Sequence, residues 1–336
     1  MKQMEHIARL IEGSDEDLYA RADDARRRHC GEAVHLRGII EFSNVCSRNC
    51  AYCGLRRDNT SLQRYTMSEE EILMVVARAE ESGVRTIVLQ SGECDAEQTD
   101  RLAGLIRAVK REFDVAITLS VGVKSRRSYR VWRQAGADRY LLKHEAANPD
   151  LYAKLHPDSS LDDRLSGLAA LRALGYQIGN GSIVGLPGQT MMDLSSDVLL
   201  AQQFDVDMAA FGPFVRHPNT PLARVPSGDL ALSLRVVAVA RLILGPVHIP
   251  ASTAFDAVAP DGRQRALCSG ANVIMANLTP VRYNRLYDIY PDNRAQNSVA
   301  RIKEILQRIE RPMARDHGHS LKGPQATEAR RERQGV

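Results

Sequence analysis

Eight short β-rich runs recur along the 336-residue chain, separated by segments with helical periodicity. The runs span residues 35–42, 86–90, 115–121, 139–144, 177–184, 208–211, 247–252 and 271–276. Strands that alternate with helices predict a parallel sheet, because each parallel connection needs a crossover helix. Eight such units over about 250 residues fit a closed barrel. We therefore expect an α/β protein with a complete (β/α)8 TIM-type barrel; an open doubly wound sheet is the alternative.

The rest of the chain divides around this repeating region. Residues 1–34 carry helical patterns and predict an N-terminal helical extension outside or beneath the barrel. The barrel is expected over residues 35–312. Residues 313–336 are polar without a clear period, which is typical of a flexible C-terminal tail. Ser68 followed by Glu71 predicts a capping box at the start of one barrel helix.

Composition excludes several classes of protein. Apolar residues make up 44% of the chain, and the net charge is only +4. The basic runs lie beside acidic residues, so no nucleic-acid partner is expected. No stretch approaches the ~18 consecutive apolar residues of a membrane span. The cysteines do not suggest a secreted disulfide framework, and we expect a cytoplasmic protein with reduced thiols.

Three of the six cysteines, Cys46, Cys50 and Cys53, lie within eight residues. The spacing C-x3-C-x2-C, with Tyr52 before the last cysteine, is that of radical S-adenosylmethionine (SAM) enzymes. The same spacing also fits one face of a helix or part of a zinc site. However, polar residues lie between the cysteines, Gly54 follows, and the preceding run reads as a strand. We predict a loop that binds a [4Fe-4S] cluster through three thiolates and leaves one iron open.

Polar residues also follow the predicted strands, where a barrel carries its chemistry. They are Ser91, Gly92, Glu93, Thr118, Ser120, Lys143, His144, Glu145, Arg216, His217, Ser252, Thr253 and Asn277. Each alone is as readily a cap or a turn former, but their convergence on one mouth is a stronger signal.

Some of these residues suggest specific roles. Glu93 can accept hydrogen bonds from an ammonium group, and Ile183, between two glycines, can cover an adenine ring, although a plain turn is the alternative. His144 and Glu145 form either a catalytic pair or an ordinary ion pair, and Lys143 would keep Glu145 ionised. Tyr287 and Tyr290 are spaced to share a helix face and to cover the mouth or pack against it.

Longer runs resemble the HydE family of radical SAM maturases of [FeFe]-hydrogenase. The resemblance extends from about residue 34 to residue 312. It is carried by residues 39–46, 53–59, 86–93, 137–145, 184–190, 212–222, 249–254 and 270–275.

The resemblance implies a barrel with a closed internal cavity. Cys46, Cys50 and Cys53 would hold one [4Fe-4S] cluster whose free iron chelates the amino and carboxylate groups of SAM. The residues expected to contact SAM are Tyr52, Ser91, Gly92, Glu93, Glu145, Arg164, Ile183, Met208 and Tyr287, to which we add Ser120 from the third predicted strand. The expected substrate cavity comprises Thr118, Lys143, Thr253 and Tyr290, with Ser252 added from its strand end. Glu145, Lys143 and Thr253 are the candidate catalytic residues.

The implied reaction is a reductive cleavage of SAM to methionine and a 5′-deoxyadenosyl radical. Ferredoxin or flavodoxin would supply the electron. The radical would attack sulfur in a cysteine-bound iron carbonyl–cyanide precursor during assembly of the hydrogenase H-cluster. We therefore expect a small organometallic or amino-acid-derived substrate, and other hydrogenase maturation proteins as partners.

Two departures from the family leave alternatives open. Residues 291–297 contain no cysteine where many relatives bind an auxiliary cluster, so we predict one cluster. Lys143 stands where an arginine is expected, and a lysine cannot form a bidentate fork to a carboxylate. The nearest alternative is a lysine mutase like methylornithine synthase. Biotin synthase would need further barrel cysteines, and the mild charge disfavours a nucleic-acid-modifying enzyme. A non-catalytic iron–sulfur or zinc-binding protein is the alternative from another class.

Overall fold

The computed structural model describes residues 1–13, 17–94, 99–291 and 298–322. Its eight strands are β1 (His35–Ser43), β2 (Thr86–Ser91), β3 (Ala116–Ser120), β4 (Arg139–Leu141), β5 (Gln177–Val184), β6 (Met208–Pro213), β7 (Pro250–Ala251) and β8 (Val273–Asn277). They pair in parallel in the order β6-β5-β4-β3-β2-β1-β8-β7. A single parallel bridge between Met208 and His248 then joins β6 to the segment before β7. The sheet is thus a nearly closed barrel, as predicted, and the open doubly wound alternative is wrong.

The strands form where the chain can be buried on both faces. All nine residues of β1 are buried, as expected for a parallel strand covered by helices outside and side chains inside. Ile39, Val88 and Met275 form a small apolar cluster of their own, apart from the main core. β7 is shorter than predicted: the N–H of Ile249 donates to the Asn272 side chain, and Pro250 has no N–H to donate to the ladder.

Thirteen helices are present in the described residues. They are α1 (Lys2–Glu12), α2 (Leu18–Cys30), α3 (Glu69–Glu81), α4 (Thr99–Glu112), α5 (Arg126–Ala135), α6 (Pro149–Leu155), α7 (Leu161–Ala173), α8 (Met191–Gln203), α9 (Leu230–Leu244), α10 (Ala254–Val258), α11 (Gly262–Cys268), α12 (Val281–Asn284) and α13 (Val299–Arg308). None of these helices carries an apolar run long enough to cross a bilayer.

Local signals explain where several helices begin. The Ser68 hydroxyl accepts the Glu71 N–H at 3.2 Å, while the Glu71 carboxylate accepts the Ser68 N–H at 2.8 Å. This reciprocal capping box confirms the prediction for α3. α1 and α2 pack against α8 and α9, outside the barrel ring. There the Arg235 guanidinium donates to the carbonyls of Leu10 and Ile11, which have no partner within α1.

Residues 313–322, which we call the C-terminal strap, cross the N-terminal end of the barrel. The Ala314 N–H donates to Val34 at 2.9 Å, and the Thr86 hydroxyl donates to the His317 carbonyl at 2.8 Å. His248 donates from Nε2 to the His319 carbonyl at 2.9 Å. The prediction of a flexible tail from residue 313 is therefore wrong for the strap. Its carbonyls accept hydrogen bonds from barrel side chains, and such contacts leave no periodic pattern in the sequence. Residues 323–336 lie outside the described residues.

Candidate active site

A cavity of about 350 Å³ lies at the C-terminal ends of the strands, within the usual size range of small-molecule sites. It brings together most of the residues that the sequence indicated. Those that line it are Cys46, Cys50, Tyr52, Cys53, Ser91, Gly92, Glu93, Ser120, Lys143, Glu145, Arg164, Ile183, Ser252, Thr253, Asn277, Tyr287 and Tyr290.

Two expected site residues lie deeper in the barrel. Thr118 precedes Ser120 by two positions on β3, which places it on the same face but one layer lower, and it is 1% exposed. Met208 begins β6, and its Sδ lies 2.7 Å from the Arg37 guanidinium. Neither residue is part of the cavity lining.

The cysteine loop, residues 44–65, is held by an arginine that sequence analysis missed. Arg64 donates from Nη1 to the carbonyls of Asn44 and Leu55, at 2.8 and 2.9 Å, and from Nη2 to that of Arg56 at 2.8 Å. One guanidinium thus joins both ends of the loop around the cysteines. Nothing in the sequence spacing distinguishes Arg64 from other loop arginines.

The three thiols suit a cluster better than a single ion. Burial raises the pKa of the Cys50 thiol well above its usual value, and the nearby Cys53 and Cys46 raise it further. Ionised thiolates here therefore need metal cations to compensate them. In the described part of the chain, no three His, Cys, Asp or Glu side chains converge to hold one metal ion. Zinc would need all ligands at about 2.0–2.3 Å, whereas each thiolate of a cluster binds a different iron.

Gly92 packs directly against the cysteine loop, where there is no room for a side chain. A Cβ at this position would lie 2.4 Å from the Val45 carbonyl oxygen and 2.8 Å from Cys46 Cβ, so only glycine fits against the first cysteine. The donor set and its packing therefore fit a cluster bound by three cysteines. The prediction that no auxiliary cluster is bound concerns residues 291–297, of which residues 292–297 lie outside the described residues.

Glu93 is held in place at the mouth by two arginines and the cysteine loop. Its two carboxylate oxygens lie 2.7 Å from Arg48 Nε and 3.4 Å from Arg164 Nη2. Its carbonyl accepts the Ser47 N–H at 2.8 Å, which ties it to the cysteine loop. Gly122 has φ +78°, and a Cβ there would come within 2.2 Å of the Glu93 carboxylate. The carboxylate is thus fixed beside the cysteines, where it can receive a ligand's ammonium group.

Lys143 and Glu145 form the second charged pair, with Nζ 2.9 Å from Oε2. Burial acts to raise the pKa of Glu145, but the Lys143 ammonium and then Arg164 outweigh it and lower the pKa below its usual value. Glu145 also has φ +64°, a left-handed conformation that costs on the order of 1–3 kcal/mol in a non-glycine residue. Hydrogen bonds of 3.0 Å to Gly181 and Ile183 hold it there.

His144 does not act with Glu145. Its fully buried ring points away from the cavity, with Nε2 3.3 Å from Asp197 of α8. Glu145 lines the cavity and His144 does not, so these two adjacent residues lie on opposite sides of the barrel wall. The prediction of a His144–Glu145 pair, catalytic or ionic, is therefore wrong.

Tyr52 is oriented by a histidine that sequence analysis also missed. His156 Nδ1 lies 3.1 Å from the Tyr152 carbonyl and must donate to it, so Nε2 accepts the Tyr52 hydroxyl at 3.0 Å. Burial lowers the pKa of His156 to about 4, helped by the positive charge of Arg164. The imidazole is therefore neutral at physiological pH and serves as a fixed acceptor.

Tyr287 and Tyr290 reach the cavity without sharing a helix face. α12 ends at Asn284, and both tyrosines lie in the irregular segment after it, so the helical reason given for their pairing is wrong. The Tyr290 hydroxyl is hydrogen-bonded to Thr253.

Ser252 Oγ is buried at the cavity wall without a hydrogen-bond partner in the described part of the chain, which leaves it available to a ligand.

A buried acid in the lower wall was overlooked. Glu41 is 4% exposed, lines the cavity and accepts a hydrogen bond of 3.0 Å from Asn277. A charged residue within the apolar run of β1 is the signal that would have found it.

Known proteins share this sequence and fold. The sequence profile of the radical SAM superfamily matches residues 40–201. The chain is 50% identical over 279 residues to the [FeFe] hydrogenase maturase subunit HydE of Thermotoga maritima, covering 83% of this chain and 80% of that protein. It is 30% identical to the 3-methylornithine synthase of Methanosarcina acetivorans, covering 78% and 75%. The crystal structure of methylornithine synthase PylB superimposes with a TM-score of 0.82 at 25% identity, covering 93% and 94%.

Proposed function

The chain belongs to the HydE family of radical SAM enzymes, and on that premise we propose that it acts on a cysteine-bound iron carbonyl–cyanide precursor in [FeFe]-hydrogenase maturation. Its cofactors are a [4Fe-4S] cluster and SAM. When bound at the three cysteines, a reduced cluster would supply the electron for reductive cleavage of SAM to methionine and a 5′-deoxyadenosyl radical. The protein contributes binding, orientation and the exclusion of water.

The upper part of the cavity suits SAM. Cys46, Cys50 and Cys53 would hold the cluster, and Glu93 beside them would receive the SAM ammonium group. Tyr52, fixed by His156, and the buried Ile183 would enclose the adenine. The remaining proposed contacts are Ser91, Gly92, Ser120, Glu145, Arg164 and Tyr287.

The lower wall suits a small polar substrate. Lys143 supplies a cation, and Ser252 supplies a hydroxyl without a protein partner in the described residues. Thr253 and Tyr290 form a hydrogen-bonded pair at the rim. We leave Met208 and Thr118 out of the proposed set because they lie below this cavity.

One observation carries the proposal. The cluster cysteines, the Glu93 carboxylate and the Lys143–Glu145 pair line one continuous cavity, so a radical generated beside the cysteines would face a substrate bound near Lys143. The cysteine loop is partly exposed, so ferredoxin or flavodoxin can deliver an electron there. Other maturation proteins would receive the product.

The test uses anaerobically reconstituted protein with dithionite and SAM, with and without the cysteine-bound iron carbonyl–cyanide precursor. We expect 5′-deoxyadenosine in both samples and a sulfur-linked adenosyl product only with the precursor. Mass-resolved chromatography detects both compounds. SAM cleavage without any precursor-dependent product would refute the proposed substrate.

A parallel sample with lysine tests the second candidate, a methylornithine-forming mutase. The relative at 30% identity favours this candidate, but the relative at 50% identity favours the maturase. A rearranged lysine product in that sample, together with no product from the precursor, would replace the first proposal with the second.

A further inference from the structure

A fully buried histidine after β6 contacts two other loops at the mouth. His217 Nε2 lies 2.8 Å from Asp288 Oδ2, in the segment that carries Tyr287 and Tyr290. We call residues 285–291 the cover segment. Neither the proposed chemistry nor the cavity lining uses His217.

The hydrogen bonds of His217 fix its proton and its orientation. Nδ1 is 3.1 Å from the Asn219 backbone nitrogen. Because that N–H can only donate, Nδ1 must be the unprotonated acceptor, and Nε2 carries the proton. Nε2 therefore donates to Asp288. The Thr220 hydroxyl donates to the His217 carbonyl at 2.9 Å, which further holds the residue in the β6 loop.

The same ring lies against the cysteine loop. A Cβ on Gly54, the residue after Cys53, would lie 2.6 Å from His217 Nε2 and 1.9 Å from the Asp288 carbonyl oxygen. The Gly54 N–H donates to the Ile289 carbonyl at 3.0 Å. The cysteine loop, the β6 loop and the cover segment therefore meet at Gly54, where no larger residue fits.

We propose that His217 is a positioning residue that fastens the cover segment to the cysteine loop and so holds Tyr287 and Tyr290 over the cavity. No helix or strand of the described residues spans this junction, so side chains and single backbone bonds must hold it. Asp288 is flanked by Tyr287 and precedes Tyr290 by two positions, so fixing its carboxylate restrains both rings.

Fastening the cover has a consequence for the ligands beneath it. A cover that is fixed to the cysteine loop slows the loss of SAM and limits the access of water to a reactive species. The inference concerns SAM alone and goes beyond the proposed precursor chemistry. It also links cover closure to the loop that carries the cluster.

The test compares His217→Phe with His217→Gln. Phenylalanine keeps the ring volume and removes both nitrogens, whereas the glutamine amide can still donate toward Asp288. In reconstituted full-length protein we measure iron content, the dissociation rate of SAM, and hydrogen exchange of peptides covering the described cover segment. His6→Phe, at an exposed position on α1, is the matched control.

For His217→Phe we expect unchanged iron content, SAM dissociation faster by about tenfold from the loss of a charge-assisted hydrogen bond, and faster exchange of the cover segment. His217→Gln should restore most of the slow SAM dissociation and most of the slow exchange of the cover segment. Wild-type rates of SAM loss and exchange in a folded, iron-loaded His217→Phe protein would overturn the inference.

A second variant covers the case in which His217→Phe does not fold. Asp288 is partly exposed, and Asp288→Ala removes the acceptor from the cover side. It should give the same faster SAM loss and exchange, and normal values would refute the fastening role. Because these readouts need only SAM, failure of the precursor assay leaves this inference standing, and the reverse also holds.

Discussion

The two ends of this barrel treat their charged groups differently. At the C-terminal mouth, Glu93 and Glu145 pair with arginine and lysine side chains inside a cavity. At the N-terminal end, Arg139 donates to the His317 carbonyl of the C-terminal strap. Ion pairs at the mouth can exchange partners with a ligand, whereas the hydrogen bonds and ion pairs of the strap, such as Lys322 with Asp205, close the fold. Changes at the mouth should therefore alter SAM chemistry, and changes at the other end should alter stability.

The largest expected effect is at the cluster. Cys50→Ala should abolish SAM cleavage while the barrel stays folded, because a cluster site needs all three thiolates. Deoxyadenosine formation and circular dichroism together check this. Cys268→Ala, at an exposed position outside the cavity lining, is the control and should behave as wild type. Retained deoxyadenosine formation in Cys50→Ala would contradict the cluster assignment.

The next effect is on acid stability at the mouth. Burial lowers the pKa of His156 from 6.5 to about 4, so the unfolded chain binds a proton in this range that the folded protein excludes. Stability should be full above about pH 6.5 and fall by at most about 3 kcal/mol toward pH 4. Urea unfolding across this range, compared with His156→Phe, isolates the contribution. An equal slope in both proteins would show that His156 does not supply it.

Glu93→Ala should have a somewhat smaller effect, on binding. Loss of the carboxylate should weaken SAM affinity by about 2 kcal/mol, roughly thirtyfold, because a charge-assisted hydrogen bond is lost. Cluster content should fall much less. Calorimetric SAM titration and iron analysis measure the two quantities, with Glu81→Ala, at an exposed position, as control. Equal losses of iron and SAM affinity would mean that Glu93 is structural.

The smallest effect belongs to the opposite end. Thr86→Val keeps the side-chain shape and removes the 2.8 Å hydrogen bond to the strap. It should lower the free energy of unfolding by about 1 kcal/mol and leave SAM cleavage unchanged. Glu81→Ala, at an exposed position at the end of α3, should change neither quantity. Altered SAM cleavage in Thr86→Val would contradict the conclusion that the N-terminal end affects stability and not SAM chemistry.

The sequence predicted the features that depend on local pattern. The eight strands follow from apolar runs, the α3 capping box from Ser68 and Glu71, and the three thiols from their spacing. Strand ends converge because a parallel barrel has one carboxyl face, so the position of Glu93 at the mouth could be expected.

Other features depend on contacts between distant parts of the chain. The strap has no period because its partners are barrel side chains such as Arg139. The direction of His144 depends on which face of the segment meets α8, and spacing alone does not give this. Arg64 acts through three hydrogen bonds to backbone carbonyls and His156 through one to Tyr52, and no motif marks such bonds.

The strap also bears on the order in which ligands exchange. Because residues 313–322 cross the N-terminal end of the barrel, we expect ligands to reach the cavity through the mouth. On the proposed arrangement, a molecule bound near Lys143 enters before SAM, and methionine leaves before the adenosylated product. Steady-state kinetics should accordingly show a compulsory order, in which the deeper ligand binds first and SAM binds second.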